Sequence, residues 1–265
     1  MKKFAIFGNP VEHSKSPQMH NGTFKALGYD AIYYKINLED GNKLKDTFLN
    51  EDLSGANITV PHKETAYEIC DELDDFAKSV KSVNTIVYKK DKLYGYNTDA
   101  PGFLKSIEKF DNIDTILILG AGGTTKSTAY ILKDAGYKVS ILNRSQNRLD
   151  NFIKDGFECF TYNSFKEQKF DLIVNMTSAG LSDQNYPAPK DLLDKIVPNA
   201  KAIVDIIYGK DTPFLKLAKE YNLPTQDGSE MLLQQGVLAF DYFTEHQFNL
   251  DDIEKAMREA LFTVA

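Results

Sequence analysis

The stretch ILILGAGGTTKSTAY, residues 116–130, restricts the possible folds of this chain more than any other segment. An apolar run of isoleucine and leucine ends at a glycine-rich turn, and residues suited to a helix follow the turn. A strand, a tight turn and a helix in this order are typical of parallel sheets whose strands are joined by crossover helices. The segment therefore predicts an α/β fold.

The glycine-rich turn is similar to two phosphate-binding patterns, and Thr125 departs from both. Residues 120–127 nearly match the phosphate loop of nucleotide hydrolases and kinases, which needs a glycine before its lysine so that backbone N–H groups converge on the phosphates. Residues 120–125 nearly match the dinucleotide pattern G-x-G-x-x-G, in which the third glycine allows close packing of the helix on the strand. Because another small residue can serve there, Thr125 favours the dinucleotide interpretation. A phosphate-loop kinase, the weaker alternative, would require Lys126 for ATP binding.

The residues after the next predicted strand indicate which dinucleotide is bound. A site for NAD usually has an acidic side chain about 20 residues beyond the glycines, where it binds a ribose hydroxyl. This chain has Asn143 and Arg144 there, and Arg148 would lie beside Arg144 on a helix. Two guanidinium groups can bind a 2′-phosphate, so the sequence favours NADP over NAD. The pyrophosphate would lie at the positive end of the helix, against Gly120, Gly122 and Gly123.

The predicted elements form two alternations of strands and helices. In the first hundred residues, the strand candidates are 4–7, 31–36 and 56–60, and the helix candidates are 17–27, 43–49 and 64–70. This alternation predicts a mostly parallel sheet, and residues 84–97 have the pattern of a hairpin. From residue 115 the predicted strands are 115–119, 138–142, 171–175 and 202–208, with helices at 124–134 and from about Arg148. Residues 98–114 would join two domains, and residues 229–265 predict two helices.

Composition excludes several classes of partner. A net charge of −7 argues against general affinity for nucleic acid or for anionic membranes, and the chain contains no apolar stretch of membrane-spanning length. The first ten residues contain too few apolar side chains for a signal peptide, so we expect a first strand there. Cys70 and Cys159 have no metal-binding spacing, and neither have the histidines, so we expect reduced thiols, no metal and a cytoplasmic location.

Eight short motifs together resemble those of the shikimate dehydrogenase family, and the resemblance extends over essentially the whole chain. They occur in the family's order: GNPVEHSKSPQMHN at 8–21, GANITVPHK at 55–63, SVNTI at 82–86, GYNTD at 95–99, GAGG at 120–123, NRS at 143–145, NMTSAG at 175–180 and DGSEMLLQQG at 227–236. Each motif alone is a weak signal. Eight in order, with family-like spacing, are specific.

The resemblance implies an N-terminal α/β substrate domain of residues 1–99, completed by about 236–265, and a Rossmann-like NADP-binding domain of residues 100–235. The C-terminal helices would return to the first domain. The implied reaction is the reversible, NADP-dependent reduction of 3-dehydroshikimate to shikimate, in chorismate and aromatic amino acid biosynthesis. The implied partner is this small molecule, bound by a monomer or homodimer. Alternatives are a quinate/shikimate dehydrogenase using NAD(P) and a catalytically silent dinucleotide-binding relative.

The resemblance also assigns roles to individual residues. Lys63 and Asp99 would be the catalytic pair, since a lysine beside the reacting oxygen can supply a proton in reduction and remove it in oxidation. The implied substrate-binding residues are Ser14, Ser16, Asn57, Thr59, Asn84, Thr98, Tyr208 and Gln235. Thr177 and Met231 would join the glycines, Asn143 and the arginines at the cofactor. The pair Thr124-Thr125 replaces smaller residues usual in the family, which could shift the helix and weaken cofactor binding.

Overall fold

The computed structural model describes residues 1–166 and 168–263. The chain divides into two compact units: the first combines Met1–Gly102 with the residues from Leu233 onward, and the second is Phe103–Leu232. Both boundaries fall inside helices, Asp99–Ile107 and Ser229–Phe243. The domain limits predicted from the sequence fall in the same two helices.

The strands alternate with helices along most of the chain. The strands are β1 Lys2–Gly8, β2 Ala31–Asn37, β3 Gly55–Ile58, β4 Glu72–Leu73, β5 Thr85–Lys89, β6 Lys92–Tyr96, β7 Thr115–Leu119, β8 Lys138–Asn143, β9 Glu158–Thr161, β10 Leu172–Asn175, β11 Ala202–Asp205 and β12 Thr225–Gln226. The helices are α1 Ser16–Leu27, α2 Leu44–Asn50, α3 Lys63–Ile69, α4 Asp75–Val80, α5 Asp99–Ile107, α6 Gly123–Asp134, α7 Asp150–Lys154, α8 Lys190–Ile196, α9 Pro213–Glu220, α10 Ser229–Phe243 and α11 Leu250–Phe262. Short 3-10 helices lie at Gly41–Lys43, Gln146–Arg148 and Val197–Asn199.

The sheet of the first unit is mixed, with the order β2-β1-β3-β5-β6-β4. Strands β2, β1 and β3 run parallel, as predicted. The predicted hairpin is β5–β6, and β5 adds to β3 in the antiparallel direction with Asn57 opposite Thr85. The hairpin therefore places the residues just before β5 and just after β6 beside the end of β3, where several predicted site residues lie.

The sheet of the second unit is parallel throughout, with the order β12-β11-β10-β7-β8-β9. If β7 to β12 are renumbered 1 to 6 in chain order and the sheet is read from its β9 edge, the strand order is 3-2-1-4-5-6, the arrangement of dinucleotide-binding sheets. The order reverses at β7, so the loop after this strand lies at the position where such sheets bind their ligands. This topology favours the dinucleotide interpretation of the glycine-rich turn over the phosphate-loop one.

Both faces of the second sheet are buried, which explains the unbroken apolar sequence of β7. Ile116 and Ile118 contribute to a core that includes Leu132 of α6, whereas Leu117 and Leu119 contribute to a second core that includes Phe214 of α9. Successive side chains of a strand point to opposite faces. A strand that is buried on both faces therefore does not alternate apolar with polar residues.

The first and last helices of the first unit pack closely on one another. A Cβ added to Gly22 of α1 would lie 2.4 Å from Cβ of Ala260 in α11, so only a glycine permits this approach. The Nε2 atom of Gln18 donates a 2.7 Å hydrogen bond to the carbonyl oxygen of Ala260. On the same helix, His20 stacks on Tyr33 of β2, with ring centroids 4.4 Å apart and planes inclined by 4°.

One sequence prediction of local structure was wrong, and two others need more detail. The strand predicted to reach Tyr208 ends at Asp205, because the Asp205 carboxylate accepts the N–H of Ile207 at 3.0 Å and turns the backbone out of the sheet. The boundary between the two units at Gly102 lies within residues 98–114, which the sequence predicts as a connection, and α5 occupies their first half. The helix predicted from about Arg148 is present but short: a 3-10 turn at Gln146–Arg148 is followed by α7, which ends before Gly156, a residue with a φ of +78°.

Candidate active site

Lys63 and Asp99 form an ion pair in the first unit. Lys63 is the first residue of α3, which follows β3 and the Val60-Pro61 turn, and Asp99 is the first residue of α5. The Nζ atom of Lys63 lies 2.5 Å from Oδ2 of Asp99, and the two side chains are 22% and 15% exposed. The structure therefore brings together two residues that are 36 positions apart in the sequence and leaves both side chains partly exposed.

The side-chain amide of Asn84 fixes the Asp99 carboxylate. The backbone N–H of Thr98 donates to Oδ1 of Asn84 at 2.7 Å, and because a backbone N–H can only donate, it identifies this atom as the oxygen. The opposite amide atom, Nδ2, then points to Oδ1 of Asp99 at 2.9 Å and to the Thr98 hydroxyl at 3.0 Å. One Asp99 oxygen is thus held by Asn84 and the other contacts Lys63.

Tyr33 connects two further predicted substrate-binding residues, and sequence reasoning missed it. Its hydroxyl donates a 2.7 Å hydrogen bond to Oδ1 of Asn57. Burial raises the pKa of this hydroxyl well above its usual value, and hydrogen bonds to Ser16 and Asn57 oppose the rise only in part. Tyr33 therefore acts as a neutral phenol that links the start of α1 to the end of β3.

The two serines lie at the beginning of α1. The hydroxyl of Ser14 donates to the hydroxyl of Ser16 at 3.2 Å and accepts the N–H of Ser16 at the same distance. Ser16 is buried and Ser14 is partly exposed. Hydroxyls beside the N-terminus of a twelve-residue helix suit an anion, because the unpaired N–H groups of the first turn carry partial positive charge.

Thr59 and Gln235 each lie where two segments of the first unit approach one another closely. Thr59 follows β3 and donates its N–H to the carbonyl oxygen of Phe7 at 2.8 Å. Gln235 is buried in α10, and a Cβ added to Gly102 of α5 would lie 2.5 Å from its backbone nitrogen. Gly102 is therefore required for α5 and α10 to approach one another at Gln235.

The glycine-rich turn of the second unit has an open face. A Cβ added to Gly122 or Gly123 would meet no atom within 4 Å, so the start of α6 is free to receive a bulky group. Gly120 is different, since it has a φ of +104° and a Cβ there would lie 2.8 Å from Cγ2 of Thr177. The fold therefore requires a glycine at position 120.

Thr125, the residue that departs from both nucleotide patterns, strengthens the turn. Its fully buried hydroxyl donates to the carbonyl oxygen of Gly120 at 3.1 Å and accepts the N–H of Gly122 at 3.3 Å. A glycine would make neither bond. The threonine therefore bridges the two ends of the turn, whose shape suits the pyrophosphate of a dinucleotide.

The predicted ribose-phosphate residues lie after β8. Asn143 ends this strand, and its Nδ2 atom donates to the carbonyl oxygen of Ser145 at 2.9 Å. Arg144 and Arg148 are exposed, and within the described residues neither guanidinium forms an ion pair. Two cationic side chains beside the carboxyl end of β8 suit a phosphate on the ribose.

Thr177 is held by a buried network that the sequence motifs did not reveal. Its N–H and hydroxyl both donate to Oδ1 of Asn175, at 2.9 and 2.8 Å. The Nδ2 atom of Asn175 donates to Oδ2 of Asp205 at 3.0 Å, and this oxygen also accepts the hydroxyl of Thr212 at 2.7 Å. Burial raises the pKa of Asp205, and these hydrogen bonds oppose the rise. Asp205 thus supports the loops after β10 and β11.

Tyr208 and Met231, also expected near the ligands, lie in the second unit. Tyr208 follows β11, and burial raises the pKa of its hydroxyl. Met231, in the first turns of α10, packs against the core that includes Ile116 and Ile118.

Throughout residues 1–166 and 168–263, no group of three or more His, Cys, Asp or Glu side chains is placed to hold a metal ion. In the same part of the chain, no helix has both the length and the apolarity to cross a membrane.

Comparison with known proteins places these features in a family. Residues 6–86 match the family model of the shikimate dehydrogenase substrate binding domain. Shikimate dehydrogenase (NADP(+)) of Helicobacter hepaticus is 42% identical over 253 residues, with 95% of this chain and 94% of the relative covered. The enzyme of Helicobacter pylori strain J99 is 44% identical over 264 residues, with 97% and 98% covered.

Two solved structures share the fold. Shikimate 5-dehydrogenase from Thermus thermophilus, in complex with NADP(H) and shikimate, superposes with a TM-score of 0.85 and 32% identity and covers 98% of this chain and 100% of its own. Shikimate dehydrogenase from Aquifex aeolicus superposes with a TM-score of 0.84 and 33% identity, with 97% and 98% covered.

A parallel sheet in dinucleotide-binding order and a separate α/β unit with a lysine–aspartate pair define a nicotinamide-dependent oxidoreductase of the two-domain α/β type. The full-length similarity makes the assignment narrower. The chain belongs to the shikimate dehydrogenase family, whose matched relatives are named as NADP(+) enzymes. The predictions of family, fold class, enzyme class and cofactor are confirmed, whereas the roles of single residues stay predictions.

Proposed function

We propose that this protein catalyses the reversible, NADP-dependent reduction of 3-dehydroshikimate to shikimate, with Lys63 as the acid and base. The observation that carries this proposal is the contact of Lys63 Nζ with Asp99 Oδ2, beside Asn84. The similarity to enzymes named shikimate dehydrogenase (NADP(+)) gives the substrate and cofactor.

Lys63 controls the proton in this reaction. A carbonyl that is reduced becomes an alkoxide, which needs a proton, and the Lys63 ammonium donates one. In the reverse direction the neutral amine removes the proton from the alcohol. Asp99 keeps the Lys63 side chain in place, since its second oxygen is bound by Asn84. The nicotinamide, when bound, supplies or accepts the hydride.

The remaining residues of the first unit bind the substrate. The serine hydroxyls at the start of α1 bind the carboxylate, because they lie at the positive end of a twelve-residue helix. Ring hydroxyls are bound by polar side chains at the end of β3, at the ends of the hairpin and within α10. These residues are Asn57, Thr59, Asn84, Thr98 and Gln235, with Tyr208 of the second unit as a further contact.

The second unit binds NADP. The open backbone at Gly122 and Gly123 accepts the pyrophosphate at the start of α6, where the helix dipole favours negative charge. Arg144 and Arg148 bind the 2′-phosphate, a role that fits their exposure. Asn143 and Thr177 complete the cofactor contacts, with Met231 beside the nicotinamide.

The composition and the cysteine chemistry support a cytoplasmic location. We infer a cytoplasmic enzyme with a small-molecule partner, acting as a monomer or homodimer. The free thiols of Cys70 and Cys159 support a reducing compartment. Burial raises their pKa values to about 12 and about 11, so both remain unreactive thiols at neutral pH.

A single absorbance assay of the reduced nicotinamide tests the proposal. Purified protein is incubated with 3-dehydroshikimate or 3-dehydroquinate, each with NADPH or NADH. We expect oxidation largely confined to 3-dehydroshikimate with NADPH. Strong turnover of 3-dehydroquinate or NADH would instead indicate a quinate/shikimate dehydrogenase. No turnover with any pair would indicate a silent dinucleotide-binding relative.

A further inference from the structure

The hydroxyl of Thr85 lies at the centre of the side-chain network in the first unit. Thr85 begins β5, is 0% exposed and is the cross-strand partner of Asn57 in β3. Its Oγ1 atom accepts a 3.0 Å hydrogen bond from Nδ2 of Asn57. It also lies 3.1 Å from the Thr98 hydroxyl and 3.3 Å from Oδ1 of Asn84. One hydroxyl thus connects three residues proposed to bind substrate.

The orientation of the Asn57 amide can be assigned from its partners. Its Nδ2 atom donates to the backbone carbonyl oxygen of Asn84 at 3.3 Å, and because a carbonyl oxygen can only accept, it identifies this atom as the nitrogen. The second N–H of the same amide is the one that Thr85 accepts. Both donors of Asn57 are therefore occupied within the protein.

The remaining hydrogen-bonding capacity of the Asn57 side chain is therefore on its oxygen atom. Oδ1 has two lone pairs, and the Tyr33 hydroxyl donates to one of them at 2.7 Å. The buried His20 ring interacts with the same amide, but neither of its nitrogens has a hydrogen-bond partner, so the second lone pair is the one left for a substrate hydroxyl. Without the Thr85 hydroxyl, a buried N–H of Asn57 loses its acceptor, and the amide must turn to find another partner or stay unpaired.

We propose that Thr85 is a positioning residue, whose hydroxyl holds the Asn57 amide so that its oxygen accepts a hydrogen bond from a ring hydroxyl of the substrate. This inference rests on the proposed function, which supplies the substrate. Thr85 acts on substrate binding through Asn57 and has little effect on the proton-transfer pair, because Asn84 is independently held by the Thr98 backbone N–H at 2.7 Å.

The effect is measured with two substitutions at the same position. Thr85→Val keeps the shape of the side chain and removes the hydroxyl, and Thr85→Ser keeps the hydroxyl. We expect Thr85→Val to raise the KM for shikimate about tenfold, with kcat changed less than about threefold and the KM for NADP unchanged. Thr85→Ser should restore a KM close to that of the unaltered enzyme. Thr244→Val removes another fully buried hydroxyl from the first unit and should leave the KM for shikimate unchanged.

A double-mutant cycle distinguishes positioning from a general structural role. If Thr85 acts through Asn57, Thr85→Val should have almost no further effect on KM in an Asn57→Ala background. A tenfold effect that persists in this background would overturn the proposal. If Thr85→Val does not fold, Thr85→Ser and Thr85→Ala, which differ by one oxygen atom, provide the same comparison.

Two measurements distinguish a failure of this inference from a failure of the proposed function. Turnover of shikimate and NADP by the unaltered enzyme tests the function alone. Normal turnover by that enzyme, together with an unchanged KM for shikimate in Thr85→Val, would refute the role of Thr85 and leave the function intact. Absence of turnover by the unaltered enzyme would refute the function, and the substrate role of Thr85 with it.

Discussion

Asn84 donates a 2.9 Å hydrogen bond to Oδ1 of Asp99, the carboxylate whose Oδ2 atom contacts Lys63. Both oxygens of Asp99 are thereby engaged, so the carboxylate has little freedom to rotate away from the lysine. The backbone N–H of Thr98 holds Asn84 in turn. The position of the Lys63 ammonium thus depends on a chain of side chains that ends at a rigid peptide group.

Removing the Lys63 amine should abolish most of the activity without loss of cofactor binding. Acid–base catalysis by a positioned side chain contributes about 10²–10⁴-fold, so we expect Lys63→Ala to lower kcat by this factor. Titration of the variant with NADPH, followed by nicotinamide fluorescence, should give a Kd like that of the unaltered protein. Lys25→Ala, at an exposed lysine of the same unit, is the control and should keep full activity. A near-normal kcat for Lys63→Ala would exclude the lysine from the mechanism.

Arg144 should discriminate between the two nicotinamide cofactors. A hydrogen bond to a charged group contributes about 1.5–3 kcal/mol, so Arg144→Ala should raise the KM for NADPH roughly 10- to 100-fold. The KM for NADH, which has no 2′-phosphate, should change much less. Arg258→Ala removes the same charge from α11, where Arg258 pairs with Glu254, and should affect neither cofactor. Equal effects of Arg144→Ala on both cofactors would argue against a 2′-phosphate site.

His20 should make the stability of the protein depend on pH. Burial lowers its pKa to about 3 from an ordinary value of 6.5, an effect that the nearby Asn57 only partly offsets. Between these values the unfolded chain binds a proton that the native state excludes. The free energy of unfolding should therefore fall by about 1.4 kcal/mol for each pH unit below about 6, and this contribution should be constant above about pH 7.

The His20→Phe variant isolates this effect. Phenylalanine keeps a ring against Tyr33 and cannot titrate. Urea unfolding of both proteins between about pH 5 and pH 7 should show a smaller loss of stability for the variant. The exposed His13, changed to Gln, is the control and should preserve the slope of the unaltered protein. Identical slopes for His20→Phe and the unaltered protein would show that His20 is protonated without cost in the native state.

Asp205 should be sensitive even to a change as small as Asp205→Asn. Its oxygens accept from Asn175, Ile207 and Thr212, so an amide in either orientation places N–H groups against other N–H donors. We expect a loss of about 2–4 kcal/mol in the free energy of unfolding and a raised KM for NADPH, because Asn175 also holds Thr177. Asp211→Asn breaks only an exposed pair with Lys219 and should cost less than about 1 kcal/mol. Similar stabilities of the two variants by urea unfolding would contradict the role of the buried network.

The parts of the fold that could be predicted are those whose interacting residues lie close together in the sequence. The turn at residues 120–123 was predictable, since strand, glycines and helix lie within one short segment. Strands β4 and β12 contain two residues each, too few for any periodicity, and exist only because a neighbouring strand pairs with them. Helix α9 was overlooked although its signal is local, with Thr212 as N-cap and Pro213 in the first turn.

The site residues that could be predicted are those that lie within the family motifs. Lys63 and Asp99 were identified by resemblance, and the structure brings them into contact. Tyr33 and Thr85 were missed because their importance lies in contacts across strands, with Asn57 as the common partner. No spacing within a single sequence reports that a buried hydroxyl faces an amide 24 or 28 positions away.

The close packing of α1 on α11 has a consequence for synthesis on the ribosome. The first unit combines Met1–Gly102 with the residues from Leu233 onward, so α10 and α11, which both pack against α1, emerge only after the second unit. Translation at about 5–20 residues per second leaves roughly ten to thirty seconds between completion of the hairpin and arrival of α11. Until α10 emerges, the nascent chain lacks the contacts of Met19 with Gly236 and of Phe24 with Phe240, and the exposed apolar side chains offer a binding site to chaperones.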